Sequence, residues 1–101
     1  METEAEVVLT LYVAGSGARS SKTIANLRRI CEQHLDRHQL EVVDVRENPQ
    51  RAEDEMVLMT PTLVRQSPGP QRRVVGDLSD TEAVLFGLDL SSSSRKGETP
   101  S

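Results

Sequence analysis

Cys31, His34 and His38 are the side chains of this chain best suited by type to hold a metal, and their spacing stacks them on successive turns of one helix. A structural zinc site needs four ligands at characteristic spacings, and no fourth candidate follows. Cys31 also shares a helical stripe with Ile24, Leu27 and Leu35, where a free cysteine behaves as a small hydrophobe. The sequence therefore predicts Cys31 in the core, both histidines facing solvent, and neither a metal nor a cofactor. A thiol buried without a nearby base is inert, so Cys31 offers no nucleophilic or redox chemistry. The stretch from Gly15 to Lys22-Thr23 invites a phosphate-binding reading. A P-loop needs glycine immediately before the lysine and another five residues earlier, and those positions hold Ser21 and Ser16. A strand–helix turn accounts for the segment better.

Charge is the remaining resource. Lys22, Arg65, Arg72 and Arg73 stand out on a chain of net charge -4. Two readings fit them equally at this point: a solvated sheet face, or a surface steering an acidic partner. Glu53-Asp54-Glu55 reads as a solubilising helix face. The acidic balance, with Tyr12 and Phe86 the sole aromatics, argues against a nucleic-acid surface and requires an aliphatic core. A single cysteine excludes an internal disulfide and suits a reducing, cytoplasmic setting. No apolar run approaches the ~18 residues of a membrane span, and the N-terminus carries acids where a signal peptide needs bases.

These side chains must be positioned by a short list of elements. Val7 to Val13 is nearly all apolar, as in a strand buried on both faces. Gly15 and Gly17 end it, Ser20 or Ser21 is a candidate cap, and the helix that follows carries the Cys31 stripe. Leu40 to Val45 reads as a second strand, which makes a right-handed parallel unit with the first. Asn48-Pro49 opens a short acidic helix, Gln50 to about Met56, with proline where a lost N–H costs nothing. Thr60-Pro61 starts a strand, Thr62 to Arg65. Ser67-Pro68-Gly69-Pro70 turns the chain into Arg72 to Val75. Ser79-Asp80-Thr81-Glu82 forms a capping box for a last helix running through Ala83, Val84, Phe86 and Leu90. Residues 91–101 hold no apolar side chain, so they and residues 1–6 are expected to be flexible around a domain of residues 7–90. The order is βαβαββα, and Val84 to Leu88 suits a strand almost as well as a helix because Gly87 costs a helix about 1 kcal/mol.

That order, with Met59-Thr60-Pro61-Thr62-Leu63 after the second helix, resembles the thioredoxin fold, in which this position belongs to a cis proline beside the active site. The loop that carries Cys-x-x-Cys in such enzymes here reads Gly15-Ser16-Gly17-Ala18-Arg19-Ser20-Ser21. Four segments sharpen the likeness: Leu11-Tyr12-Val13-Ala14-Gly15; Asn48-Pro49-Gln50 with Ala52-Glu53; Thr60-Pro61-Thr62-Leu63; and Gly76-Asp77-Leu78-Ser79 with Gly87-Leu88-Asp89-Leu90. In this order and spacing, over Val7 to Leu90, they are similar to the KaiB family of circadian clock proteins.

The resemblance implies a single thioredoxin-like α/β domain without catalytic activity that binds a KaiC-type ATPase. Lys22, Arg65, Arg72 and Arg73 would meet that ATPase. The second strand, at Glu41, Val42 and Val43, would offer an edge to KaiA or a SasA-type kinase. It also implies a second, tetrameric fold of the C-terminal half, with Pro61, Gly87 and Asp89 in the switching region. Gly87→Ala and Asp89→Arg are expected to favour the helical form. The chain departs from the family pattern where Met56 replaces a lysine, Glu41 replaces a basic residue and Ser91 to Ser94 replace an aromatic, acidic extension, which marks a divergent paralogue. The polar Ser91 to Ser101 tail, the capping box at Ser79 to Glu82 and the acids Glu2, Glu4 and Glu6, where family members carry basic residues, predict a monomer resting in the thioredoxin-like state. The competing functions are a thioredoxin-like redox protein or chaperone working through Cys31 alone, and a SasA-type sensor domain standing alone.

Overall fold

A central strand flanked on both sides explains the long apolar run near the N-terminus. The computed structural model describes residues 6–90, and the expected flexible ends, 1–5 and 91–101, lie outside the described residues. Glu6 is placed, its carboxylate accepting from the Gln39 amide at 3.1 Å. The elements are β1 (Val7–Val13), α1 (Ala18–His34), β2 (His38–Asp44), α2 (Pro49–Asp54), β3 (Thr62–Ser67), β4 (Arg72–Val75) and α3 (Thr81–Gly87). They form one sheet in the order β2-β1-β3-β4. Strands β1 and β2 run parallel, and β3 is antiparallel to both β1 and β4. This is the βαβαββα arrangement expected from the sequence.

The two faces of the sheet are covered unequally. On one, Leu9, Leu11 and Leu63 pack with Leu27, Ile30, Cys31 and Leu35 from α1 and with Val84, Leu85, Leu88 and Leu90 from the C-terminal segment. On the other, Tyr12, Val43 and Val64 form a small cluster with Val45 and Val57 beside it. Tyr12 is the core aromatic. Phe86, 87% exposed, is not on the buried face of α3. The helix stops at Gly87, and Leu88 and Leu90 reach the core from beyond its end.

Helix boundaries follow local hydrogen bonding more closely than composition. The N-cap of α1 is Gly17, whose carbonyl accepts from the Ser21 N–H at 3.0 Å, so Ser20 and Ser21 lie inside the first turn. At α3 the cap is Asp80, not Ser79: its carboxylate accepts from the Ala83 N–H at 3.1 Å, while the Ser79 N–H donates to Asp77. Both α2 and α3 end in Schellman turns. After α3, Asp89 N–H donates to Phe86 and Leu90 N–H to Leu85; after α2, Met56 N–H donates to Glu53 and Val57 N–H to Ala52. The left-handed residue in each is not glycine but Asp89 (φ 56°) or Met56 (φ 56°). The Thr60–Pro61 bond is cis, as expected, and so are Ser67–Pro68 and Gly69–Pro70.

Gly87 has a packing role that its helix propensity concealed. A Cβ at this position would lie 2.6 Å from Val74 Cγ2. The propensity gain expected of Gly87→Ala is therefore opposed by a steric contact with β4. Asp89 stands past the helix end, so a cation there gains from the dipole only against the left-handed backbone penalty.

Candidate partner-binding surfaces

Strand alternation separates the three arginines that the sequence groups with Lys22 of α1. Leu63 pairs with Val74, Val64 with Arg73, and Arg65 with Arg72. Arg65 thus shares the face of Leu63 and Val74, toward α1 and α3, whereas Arg73 shares the face of Val64 and Tyr12, toward α2. Arg65 is 3% exposed, and its guanidinium donates to the Leu88 carbonyl at 2.6 Å and to the Pro68 carbonyl. This corrects its expected place on a partner surface: in this fold its donors serve the end of α3 and the β3–β4 turn. The signal was its even spacing from Leu63 along β3. Arg72 is exposed. Lys22 lines an open groove of about 540 Å³ with Arg19, Met59, Pro61, Val75 and Asp77. Hydrogen bonds from Ser79 hold the Asp77 carboxyl below its usual range, and the nearby Lys22 charge adds to the effect.

Strand β2 is a true sheet edge, as the expected third-partner surface requires. Val42 points to the α1 side and is partly exposed, while Val43 is buried on the α2 side. Glu41, of the same parity as Val43, is gripped by both terminal nitrogens of Arg51, at 2.5 and 2.9 Å. That fork holds the Glu41 carboxyl below the usual range. Arg73 is likewise engaged: it donates to the carbonyls of Glu55 (2.9 Å) and Met56 (3.4 Å) and lies 3.7 Å from the Glu55 carboxylate. Neither Arg51 nor Glu55 was legible as a partner of these residues, because pairing across a sheet face leaves no fixed sequence spacing. Beneath them, burial raises the Tyr12 phenol, with the Glu55 charge adding to it. The α2–β3 loop leaves Met56, Leu58 and Met59 exposed.

The loop of residues 15–21 does meet Pro61. Gly17, Ser20, Thr23, Thr60 and Pro61 line a small recess of about 150 Å³ where a redox member of the fold would carry its thiols. Gly15 is held at the end of β2 by Asp44, whose Oδ1 accepts from the Gly15 N–H (3.0 Å) and the Arg46 N–H (2.9 Å). These bonds lower the Asp44 carboxyl below its usual range. Cys31 lies elsewhere, in the main core, where burial pushes its thiol up to about 11. Among the described residues, no group of three or more His, Cys, Asp or Glu side chains is placed to hold a metal ion, and no helix is long and apolar enough to cross a membrane.

The KaiB domain model matches residues 10–90. This chain belongs to the KaiB family. Circadian clock protein KaiB3 of Synechocystis sp. is 51% identical over 85 residues, covering 83% of each chain. The circadian clock oscillator protein KaiB of Gloeothece citriformis is 49% identical over 84 residues, 82% of this chain and 79% of that protein. Among solved structures, the N-terminal domain of Synechococcus elongatus SasA superposes with a TM-score of 0.71 at 23% identity over 90% of each chain. Mitochondrial thioredoxin 3 from Saccharomyces cerevisiae superposes at 0.66 and 18% identity, covering 82% of this chain and 76% of that one. These two likenesses establish a thioredoxin-like fold for this KaiB family member.

Proposed function

We propose that this KaiB-family chain is a non-enzymatic clock regulator of the cytoplasm that binds a KaiC-type ATPase through protein–protein contacts. The observation that carries the reading is identity of about one half to named clock proteins over most of the chain. Lys22 and Arg72 supply exposed charge for an acidic face of the ATPase, Arg73 supplies more once released from Glu55, and Arg65 acts only by holding the fold together. The open β2 edge at Glu41, Val42 and Val43 suits backbone pairing with a further partner, KaiA or a SasA-type kinase. The chain acts as a monomer in the thioredoxin-like state, and a tetramer with a rewound C-terminal half is its alternative form. Pro61, Gly87 and Asp89 lie in the half that would change.

The redox reading is disfavoured by the burial of Cys31 and by a Pro61 recess whose lining of hydroxyl and apolar groups with Arg19 includes no thiol. The stand-alone sensor reading rests on a fold likeness at 23% identity alone. Immobilised full-length chain, offered the host's KaiC-type ATPase with ATP and with ADP, should retain it in a nucleotide- and salt-dependent way. Failure to retain it under either condition would refute the assignment. Sedimentation of the free chain checks the monomer, and an insulin-reduction assay should show no turnover.

A further inference from the structure

Glu41 and Arg73 stand on opposite edge strands, separated by β1 and β3, or about 14 Å at ordinary strand spacing. Both nevertheless end on the same six-residue helix. Arg51 of α2 holds Glu41, and the turn that closes α2 offers Arg73 two carbonyls and the Glu55 carboxylate. No residue of α2 is buried. A helix this short has little stability of its own, so tertiary contacts must hold it. Val57 rests on the small cluster below, Asn48 ties the N-terminal end to the Asp44 carbonyl at 3.1 Å, and the two arginine contacts fix the middle and the end. Each contact is partly exposed and individually weak. Such an element opens locally at little cost while the rest of the fold stays intact.

We propose that α2 is a strut coupling the two edges of the sheet: a carboxylate-bearing partner that draws Arg73 away from Glu55 loosens α2, and with it the grip of Arg51 on Glu41 at the β2 edge. The part played by the partner rests on the docking assignment of Arg73 above; the strut itself is a property of the free chain. Released Glu41 then offers its charge to a basic group on whatever pairs with β2. Because coupling is reciprocal, a basic partner at the β2 edge in turn frees Arg73 for an acidic one. Tyr12, on the central strand, lies beneath the strut and responds electrostatically to Arg51, Glu55 and Glu41 together.

Amide hydrogen exchange and NMR shifts of the full chain test this without any partner. In Arg73→Gln the Glu55, Met56 and Val57 amides should exchange about threefold to tenfold faster, with the Leu27 and Ile30 amides unchanged. The Glu41 amide and Arg51 side-chain resonances should move in the same variant. Glu41→Gln should speed the same amides and move the Arg73 resonances, and Arg73→Lys should lie between Arg73→Gln and wild type. Unmoved Glu41 and Arg51 signals in Arg73→Gln would overturn the strut, as would equal acceleration of the α1 amides. Neither result bears on whether the unsubstituted chain retains the ATPase, so the two ideas fail separately.

Discussion

Arg65 closes the C-terminal end of α3, its Nε donating to the Leu88 carbonyl at 2.6 Å from a nearly solvent-free position on β3. The last carbonyls of a helix have no partner within it and carry the negative end of its dipole, so a buried cation is well matched to them. Through the second bond, to Pro68, the same guanidinium joins the β3–β4 turn to α3. Arg65→Met should lower unfolding stability by about 3 kcal/mol in a urea titration, because it strands the buried Leu88 carbonyl and the part-buried Pro68 carbonyl. Arg65→Lys should lose less, a single ammonium being unable to reproduce the fork. Wild-type stability in Arg65→Met would refute the assignment.

Asp44 ties the β1–α1 loop to β2 through two backbone N–H groups that favour its ionised form. Its carboxyl, depressed below the ordinary 3.8, contributes stability at neutral pH that is lost as the pH falls below about 4 and through the folded value. Asp44→Asn should therefore be less stable than wild type at pH 7, and its urea midpoint should fall less steeply between about pH 5 and 3. Parallel acid profiles for the two proteins would contradict this.

Gly87 and Val74 should be energetically coupled. Alanine gains about 1 kcal/mol over glycine inside a helix. A Cβ at this position meets Val74 Cγ2 at 2.6 Å, and valine is stiff about χ1. Gly87→Ala should thus stabilise the chain more in a Val74→Ala background than in wild type, by about 1 kcal/mol in a double-mutant cycle. Simple additivity would show that the contact relaxes freely.

The Cys31 thiol should be nearly unreactive in the native chain. Burial raises it to about 11 from an ordinary 9.0, with Glu32 adding to the rise and Arg28 opposing it. At pH 8 the thiolate fraction is then smaller by about a hundredfold, before any loss of access is counted. Reaction with an aromatic disulfide reagent should be slow until urea unfolds the protein. Rapid native-state labelling would reopen the redox reading.

The element order was legible because each signal was local. The run Val7 to Val13 could belong only to a strand buried on both sides, and Asn48-Pro49 and Thr60-Pro61 marked the starts that the structure shows within a residue or two. The edge position of β2 was a condition that the sequence left open, and the strand order β2-β1-β3-β4 supplies it. The fates of the charged residues did not follow. Arg65 and Arg73 look alike in sequence, yet the alternation of β3 and β4 sends one into the interior and sets the other against α2. Glu41–Arg51 and Arg73–Glu55 are pairings between elements, fixed only when α2 is laid across the sheet. The cap of α3 moved from Ser79 to Asp80 because Asp77 claims the Ser79 amide first, a competition that the capping-box pattern does not encode.

Met56, Leu78 and Asp89 hold left-handed backbone conformations, and all three lie in the second half of the chain; no described non-glycine residue before Met56 does so. Each such residue gives up about 1 kcal/mol that glycine in its place would not. At Met56 and Asp89, both exposed, glycine would recover that cost without altering the shape of the backbone, whereas Leu78 is 3% exposed in the main core and its burial outweighs the backbone cost. For a lineage, the two exposed positions act as inherited set-points. Drift toward or away from glycine at 56 or 89 adjusts how firmly the C-terminal half holds its form, in steps that add because the two sites lie on separate turns.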